Sequence, residues 1–356
     1  MTAVLVVAKI FMTTINPTSK TVFEKLIQPL TGQFQYFSSK RVCNILPDMQ
    51  WLETGILRTL SQEPSGRAFL QKLLDSGKPA LQRSHFFETL KSNRRLQRYQ
   101  EASTALFNKV KKDHLHNDPF RVFSELDGYD IYAGDGHYHG AACHDVKKEH
   151  KKYPTQHFYS VDLRTHGLKY LTSADTSGQR KKEHDIRALK RLSVETLRQG
   201  TLKGRKVLYI WDRAGIDFSE WYKWKQTGGI YFISREKSNM RLIKMADLDF
   251  DRSAGINKGA ERYELVGATV GCSIYRIQYK CPISGESFSF LTNAKNIAPG
   301  LVAYLYKSRW NIEKIFDQVK NKLSEKKAWA TSDTAKSMQA QFICLTHNLM
   351  LILKNG

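Results

Sequence analysis

The chain predicts an α/β protein: a mixed sheet flanked by helices, preceded by a helical segment and interrupted by a β-rich insertion. Three observations carry this. From Tyr129 to Ser234, strand-like runs and helical periodicity follow each other in the order β-β-β-α-β-α-β, which suits a mixed sheet covered by helices. Between Arg235 and Leu291 only alternating runs and turn signals appear, the mark of antiparallel hairpins. The segment AYLYKSRWNIEKIFDQVKNKL then spaces its apolar residues as a docked helix does.

Residues 1–122 read as a helical domain. Arg67–Leu74 carries Phe69, Leu70, Leu73 and Leu74, and Phe86–Val110 follows, with Pro64, Gly77 and Pro79 as punctuation. The second segment bears Lys91, Arg94, Arg95 and Arg98, a face suited to contact DNA or simply to be solvated. Residues 123–235 supply strands at Tyr129–Ala133, His157–Asp162 and Leu168–Ala174, a helix over His184–Arg198, a strand at Val207–Trp211, a helix over Ile216–Lys225 and a strand at Ile230–Ser234. The run Val207–Trp211 is β-branched and aromatic, as expected of a strand buried on both faces. The insertion, 236–290, alternates over Tyr263–Val270, Cys272–Tyr279 and Ser287–Leu291, with turns at Gly271 and Pro282–Gly285. It predicts a small antiparallel sheet beside the main one. Residues 291–330 return to the main body, and 331–356 close with an apolar helix around Phe342–Leu353.

The helix through Tyr306, Arg309, Glu313 and Lys320 has two stripes. At about 100° per residue, Ile312, Ile315, Phe316, Val319 and Leu323 cluster on one side, while Arg309, Lys320, Glu313 and Tyr306 gather roughly a quarter turn away. Trp310 borders that second stripe. A lone carboxylate between two cations and a phenol can serve a metal beside a phosphate, although Arg309 and Glu313 also read as a surface i,i+4 pair worth a few tenths of a kcal/mol. Phosphoryl transfer by two metal ions needs further carboxylates, and two acids stand where strands finish. Asp135 is flanked by Gly134 and Gly136, which permit close approach of other groups. Asp212 closes the apolar run RKVLYIWD, where an acid is expected to cap the next helix or bind a cation.

With these residues in view the chain resembles the DDE transposases, and among them the insertion-sequence four group, whose signature is the Tyr306, Arg309, Glu313 and Lys320 spacing. The likeness runs from about Tyr129 to Lys320. It takes in Asp135 before Gly136, Asp212 in Trp-Asp-Arg-Ala-Gly, the Phe-Ile-Ser-Arg strand ending at Arg235, and Leu291-Thr292-Asn293. The acids are 77 residues apart (212 − 135). The resemblance implies a ribonuclease H-like fold, with the β-rich insertion before the last catalytic helix helping to grip a transposon end. It implies two divalent metal ions, magnesium, held by Asp135, Asp212 and Glu313 as the catalytic set, with Tyr306, Arg309 and Lys320 contacting DNA. The implied partners are double-stranded DNA, as terminal inverted repeats and target, and a second copy of the chain in the active complex. The expected reaction is cleavage and strand transfer in a bacterial cytoplasm, at the nucleoid. Two other readings stay open: an inactive or truncated DNA-binding relative, and a ribonuclease H-like nuclease without strand transfer.

Composition agrees with a nucleic-acid partner. In 356 residues, 56 Lys and Arg against 34 Asp and Glu leave a net charge of +22, an excess that favours DNA through counterion release. The five scattered cysteines suggest a reducing compartment rather than a disulfide framework. Ala3–Ile15 is too short for a membrane span, and Ser76-Gly77-Lys78-Pro79 is no phosphate loop, so neither membrane nor ATP is expected. His137, His139, Cys143 and His144 match no usual structural zinc spacing.

Overall fold

The computed structural model describes residues 17–34, 46–77, 81–114, 116, 118–147, 150–174, 183, 185–267, 273–323 and 327–355, with the side chains of 17–20, 32–34, 320–322 and 355 outside the description. Ala3–Ile15 and two of the five cysteines, Cys43 and Cys272, fall outside the described residues. Five helices come first: α1 (Pro17–Phe34), α2 (Asp48–Leu60), α3 (Gly66–Asp75), α4 (Arg83–Leu90) and α5 (Asn93–His114). The single helix expected over Phe86–Val110 is two, because the Ser92 hydroxyl accepts the amide of Arg95 and starts α5 afresh. Three basic residues of α5 share one countercharge. Arg94, Arg95 and Arg98 all converge on Asp48, at 2.9, 3.1 and 3.4 Å.

The strands that follow are β1 (Tyr129–His139), β2 (Thr155–Asp162) and β3 (Leu168–Ser173), then α6 (Asp185–Lys190), α7 (Val194–Arg198), β4 (Lys206–Ile210), α8 (Phe218–Gly228) and β5 (Ile230–Arg235). The helix expected over His184–Arg198 is broken for the same reason as before. Ser193 accepts the amide of Thr196 and caps α7. The insertion carries β6 (Ile243–Asp247), which its sequence did not announce, followed by β7 (Ala260–Gly267), β8 (Ser273–Lys280) and β9 (Ser287–Thr292). After these come α9 (Pro299–Ser308), α10 (Trp310–Lys322) and α11 (Asp333–Asn355).

Among the described residues the strands form one nine-stranded sheet in the order β3-β2-β1-β4-β5-β9-β8-β7-β6. Only β1–β4 and β4–β5 are parallel. The insertion is therefore not a separate sheet set beside the first. β9 pairs with β5 on one edge and β8 on the other, so the hairpins extend the same sheet. This mixed sheet with flanking helices fits the expected ribonuclease H-like transposase arrangement.

Alternation sorts the central strands onto two cores. Ile131, Ala133, Leu208 and Ile210 face one core with α1–α5 and α9–α11, while Tyr132, Val207, Tyr209 and Trp211 face the other with α6–α8. Both faces are covered, as the parallel strands require.

Candidate active site

Two corrections to the expected elements bring the site together. First, β1 does not stop at Ala133 but continues to His139 along β2, with Asp135 opposite Tyr159. Parallel pairing with β4 ends at Ala133 and Ile210, so two residues further on Asp135 stands level with Asp212. By the period-2 rule, Asp135 shares its face with Ile131 and Ala133, and Asp212 continues the face of Leu208 and Ile210. That is the face on which Ile312, Ile315, Phe316 and Val319 of α10 are buried. The glycines beside Asp135 are accounted for as well: a Cβ on Gly134 would lie 2.4 Å from the Trp211 ring, and one on Gly136 would lie 2.3 Å from the Gln156 amide.

Second, the signature helix is two helices meeting at Arg309. Its amide bonds to Tyr306 and its carbonyl accepts from Ile312, both three residues away, so the four-residue ladder tightens there. Tyr306 ends up on α9, half-buried against Phe290 with ring centroids 5.0 Å apart. Glu313 is on the first turn of α10. Lys320 is on the same helix, and its side chain lies outside the described residues.

Arg309 joins the acids. Its Nη1 donates to Asp135 Oδ2 at 2.9 Å and its Nη2 to Glu313 Oε1 at 2.6 Å. It is 9 % exposed, so the surface ion pair read from the sequence is a largely buried three-membered cluster. The remaining oxygen of Asp135 accepts the Gly136 amide at 2.8 Å. Asp212 partly fulfils its capping role, because its Oδ1 accepts the Ala214 amide at 2.8 Å to start a 3₁₀ turn, while Asp217 caps α8.

The electrostatics follow from burial and crowding. Burial pushes the Asp135 carboxyl up to about 6, against the pull of Arg309 and the Gly136 amide, and the charges of Asp212 and Glu313 push the same way. Burial works against the Arg309 charge, but Asp135 and Glu313 outweigh it and hold the guanidinium above its ordinary value. Burial raises the Tyr306 phenol, tempered by Arg309 and Arg235. Arg235, at the end of β5, is thus a further cation of the site, stacked over Phe288 at 4.9 Å. In the sequence Arg235 marks a strand end, and its place after an apolar strand, like that of Asp212, is the signal that could have pointed to it.

His137 and His139 lie on β1. His137 stacks on Phe316 at 4.9 Å and His139 on His157 at 4.4 Å, so they pack beneath α10, while Cys143 and His144 are exposed. Among the described residues no group of three or more His, Cys, Asp or Glu closes on one point as a metal site. The donor chemistry of Asp135, Asp212 and Glu313 nonetheless suits a hard divalent cation.

A family model described as "Transposase DDE domain" matches residues 118–349, about two thirds of the chain. The chain belongs to the DDE transposase family. The family points to an enzyme acting on DNA, and the matched span of this transposase holds all three acids together with Tyr306, Arg309 and Lys320. No curated protein matches the chain. Among solved structures, the C-terminal lobe of a budding yeast Argonaute is similar over 79% of this chain and 68% of that one, at 12% identity and a TM-score of 0.22, which carries no argument. Among the described residues no helix of the transposase is long and apolar enough to cross a membrane.

Proposed function

We propose that this transposase, of the insertion-sequence four type, binds the ends of its element as a homodimer and catalyses metal-dependent DNA cleavage and strand transfer without ATP. The observation that carries the reading is the level placement of Asp135 and Asp212 on neighbouring parallel strands, with Glu313 brought to Asp135 through Arg309. The uninterrupted Tyr306, Arg309, Glu313 and Lys320 spacing supports the group assignment.

Asp135, Asp212 and Glu313 would hold two divalent ions, magnesium. When bound, such ions lower the pKa of an attacking water or 3′-hydroxyl and neutralise charge on the leaving oxygen. The protein's share is positioning and charge. The Gly136 amide orients one Asp135 oxygen, and the 3₁₀ turn after β4 orients Asp212. Tyr306, Arg309 and Lys320 contact the DNA backbone, and Trp310, 58 % exposed, borders the same face. We assign residues 1–122 as a helical DNA-binding domain. We assign 236–290 as the insertion that grips the element's end. A cleft of about 730 Å³ lined by Arg252, Lys258, Arg262 and Lys280 supports the second assignment.

The test is labelled DNA bearing the element's ends, incubated with magnesium or with chelator, comparing wild type with Asp212→Asn. Metal-dependent nicking at the element boundary, absent from the mutant, is the expected outcome. Binding without cleavage in either protein would point to an inactive relative, and cleavage without joined products to a nuclease.

A further inference from the structure

We propose that Arg309 is an internal counter-cation that competes with metal for Asp135 and Glu313, so that metal binding releases its guanidinium for a DNA phosphate and thereby couples the two ligands. The inference rests on the reading that the three acids hold divalent metal.

The geometry supports it in three ways. The two arms of one guanidinium go to two different acids, Nη1 to Asp135 and Nη2 to Glu313. These are short charge-assisted bonds made where little water competes, since the Arg309 side chain is 11% exposed and the carboxylates 21% and 32%. Arginine also cannot shed its proton, so its charge leaves the acids only if the side chain moves. A divalent ion drawing on the same oxygens therefore has to displace it. Asp212 is engaged elsewhere, with Oδ1 accepting the Ala214 amide. The released fork has a matched alternative, because two parallel N–H groups fit a phosphate as well as a carboxylate. Its neighbour Trp310 is on the solvent side of the helix, and Arg309 sits at the junction of α9 and α10, where the ladder is already interrupted.

Calcium, which probes carboxylate sites without requiring turnover, is titrated calorimetrically into wild type, Arg309→Gln and Asp212→Asn, all free of DNA. Affinity for a duplex bearing the element's end is then measured by fluorescence anisotropy with and without calcium. Arg309→Gln is expected to bind calcium on the order of tenfold more tightly than wild type, the worth of one charge-assisted bond no longer in competition. Calcium should tighten DNA binding by wild type by a similar factor and leave Arg309→Gln unchanged. Equal calcium affinity in wild type and Arg309→Gln overturns the proposal, as does calcium-enhanced DNA binding that survives in the variant. Asp212→Asn separates the two levels of the argument. If it loses calcium while Arg309→Gln matches wild type, only the counter-cation idea fails. If it titrates like wild type, the carboxylate reading fails and takes this proposal with it. Should Arg309→Gln not fold, Arg309→Lys keeps the charge but reaches only one acid; about a threefold gain is then expected, and no gain overturns the proposal.

Discussion

His139 and His157, both fully buried, lie with ring centroids 4.4 Å apart beneath the helix that carries Glu313. Burial holds His157 down to about 3 and His347 down to about 4, and keeps His139 well below its usual range. Each is neutral in the folded protein, whereas the unfolded chain takes up a proton near 6.5. The unfolded state therefore binds more protons below that pH. Stability is complete above about 6.5 and falls as the pH drops toward the folded values, by up to about 1.4 kcal/mol per pH unit for each histidine. Asp135 acts oppositely over a narrower window: raised from 3.8 to about 6, it costs stability as the pH rises through that interval. The histidines outnumber it, so melting temperature is expected to fall between pH 6.5 and 5, with a shallower fall in His157→Phe. A melting temperature that climbs toward pH 5 would refute this. The three acids were legible as residues because two end or flank apolar strands and the third shares a helix face with cations. The pair of hydrogen bonds that Arg309 donates was not, since nothing in a helical wheel shows that Asp135 arrives from a strand 174 residues earlier.

The α5 helix shows how a charge run misleads when read by itself. Burial acts to raise the Asp48 carboxyl, but Arg94, Arg95 and Arg98 outweigh it and hold it below its ordinary value. Arg95 is 4% exposed and also reaches the Leu46 carbonyl. Asp48→Asn would leave that arginine buried without its countercharge, and a loss of about 3 kcal/mol is expected in urea unfolding. A loss below 1 kcal/mol would mean that the cluster is solvent-screened. In the insertion, by contrast, Arg262 and Lys280 line an open cleft. Reversing both to glutamate is expected to weaken DNA binding and to reduce the salt slope by about two phosphate contacts' worth, as read by anisotropy across a salt series. An unchanged slope would remove this cleft from the DNA path. Helix boundaries were the least legible elements. Ser92 and Ser193 each restart a helix by capping it, and a periodic apolar pattern runs straight through such a break.

The described chain is tied together by α11. Asn348 donates to the Leu168 carbonyl and accepts its amide, and the His347 Nε2 is 3.0 Å from the His166 carbonyl. The same helix places Phe342 against Trp51 and Tyr99 from the N-terminal helices. One core runs from Leu26 and Trp51 through Ile131 and Ile210 to Ile312 and Leu349. The N-terminal helices and the sheet are therefore expected to unfold in a single transition, with fluorescence and circular dichroism curves superimposing. At Gly55 the two fit closely, since a Cβ there would lie 2.1 Å from the Phe342 ring. Gly55→Ala is expected to cost about 1–3 kcal/mol through overpacking and to lower both probes' midpoints together. Separate midpoints would show that the helices form an independent unit.

The identity of every strand but β6, the two buried faces and the residue types of the site were written locally, because alternation and helical spacing depend on neighbours within one element. The 77-residue interval between the aspartates acquired its meaning only from the register, in which Ala133 pairs with Ile210 and so sets Asp135 beside Asp212. The joining of the insertion to the main sheet depended on β9 offering two edges at once. The burial of Arg309 between two acids depended on the packing of α10 over the end of that sheet. Each of these is a contact between segments far apart in the chain, decided by which backbone edges and apolar faces remained to be paired once the local elements had formed.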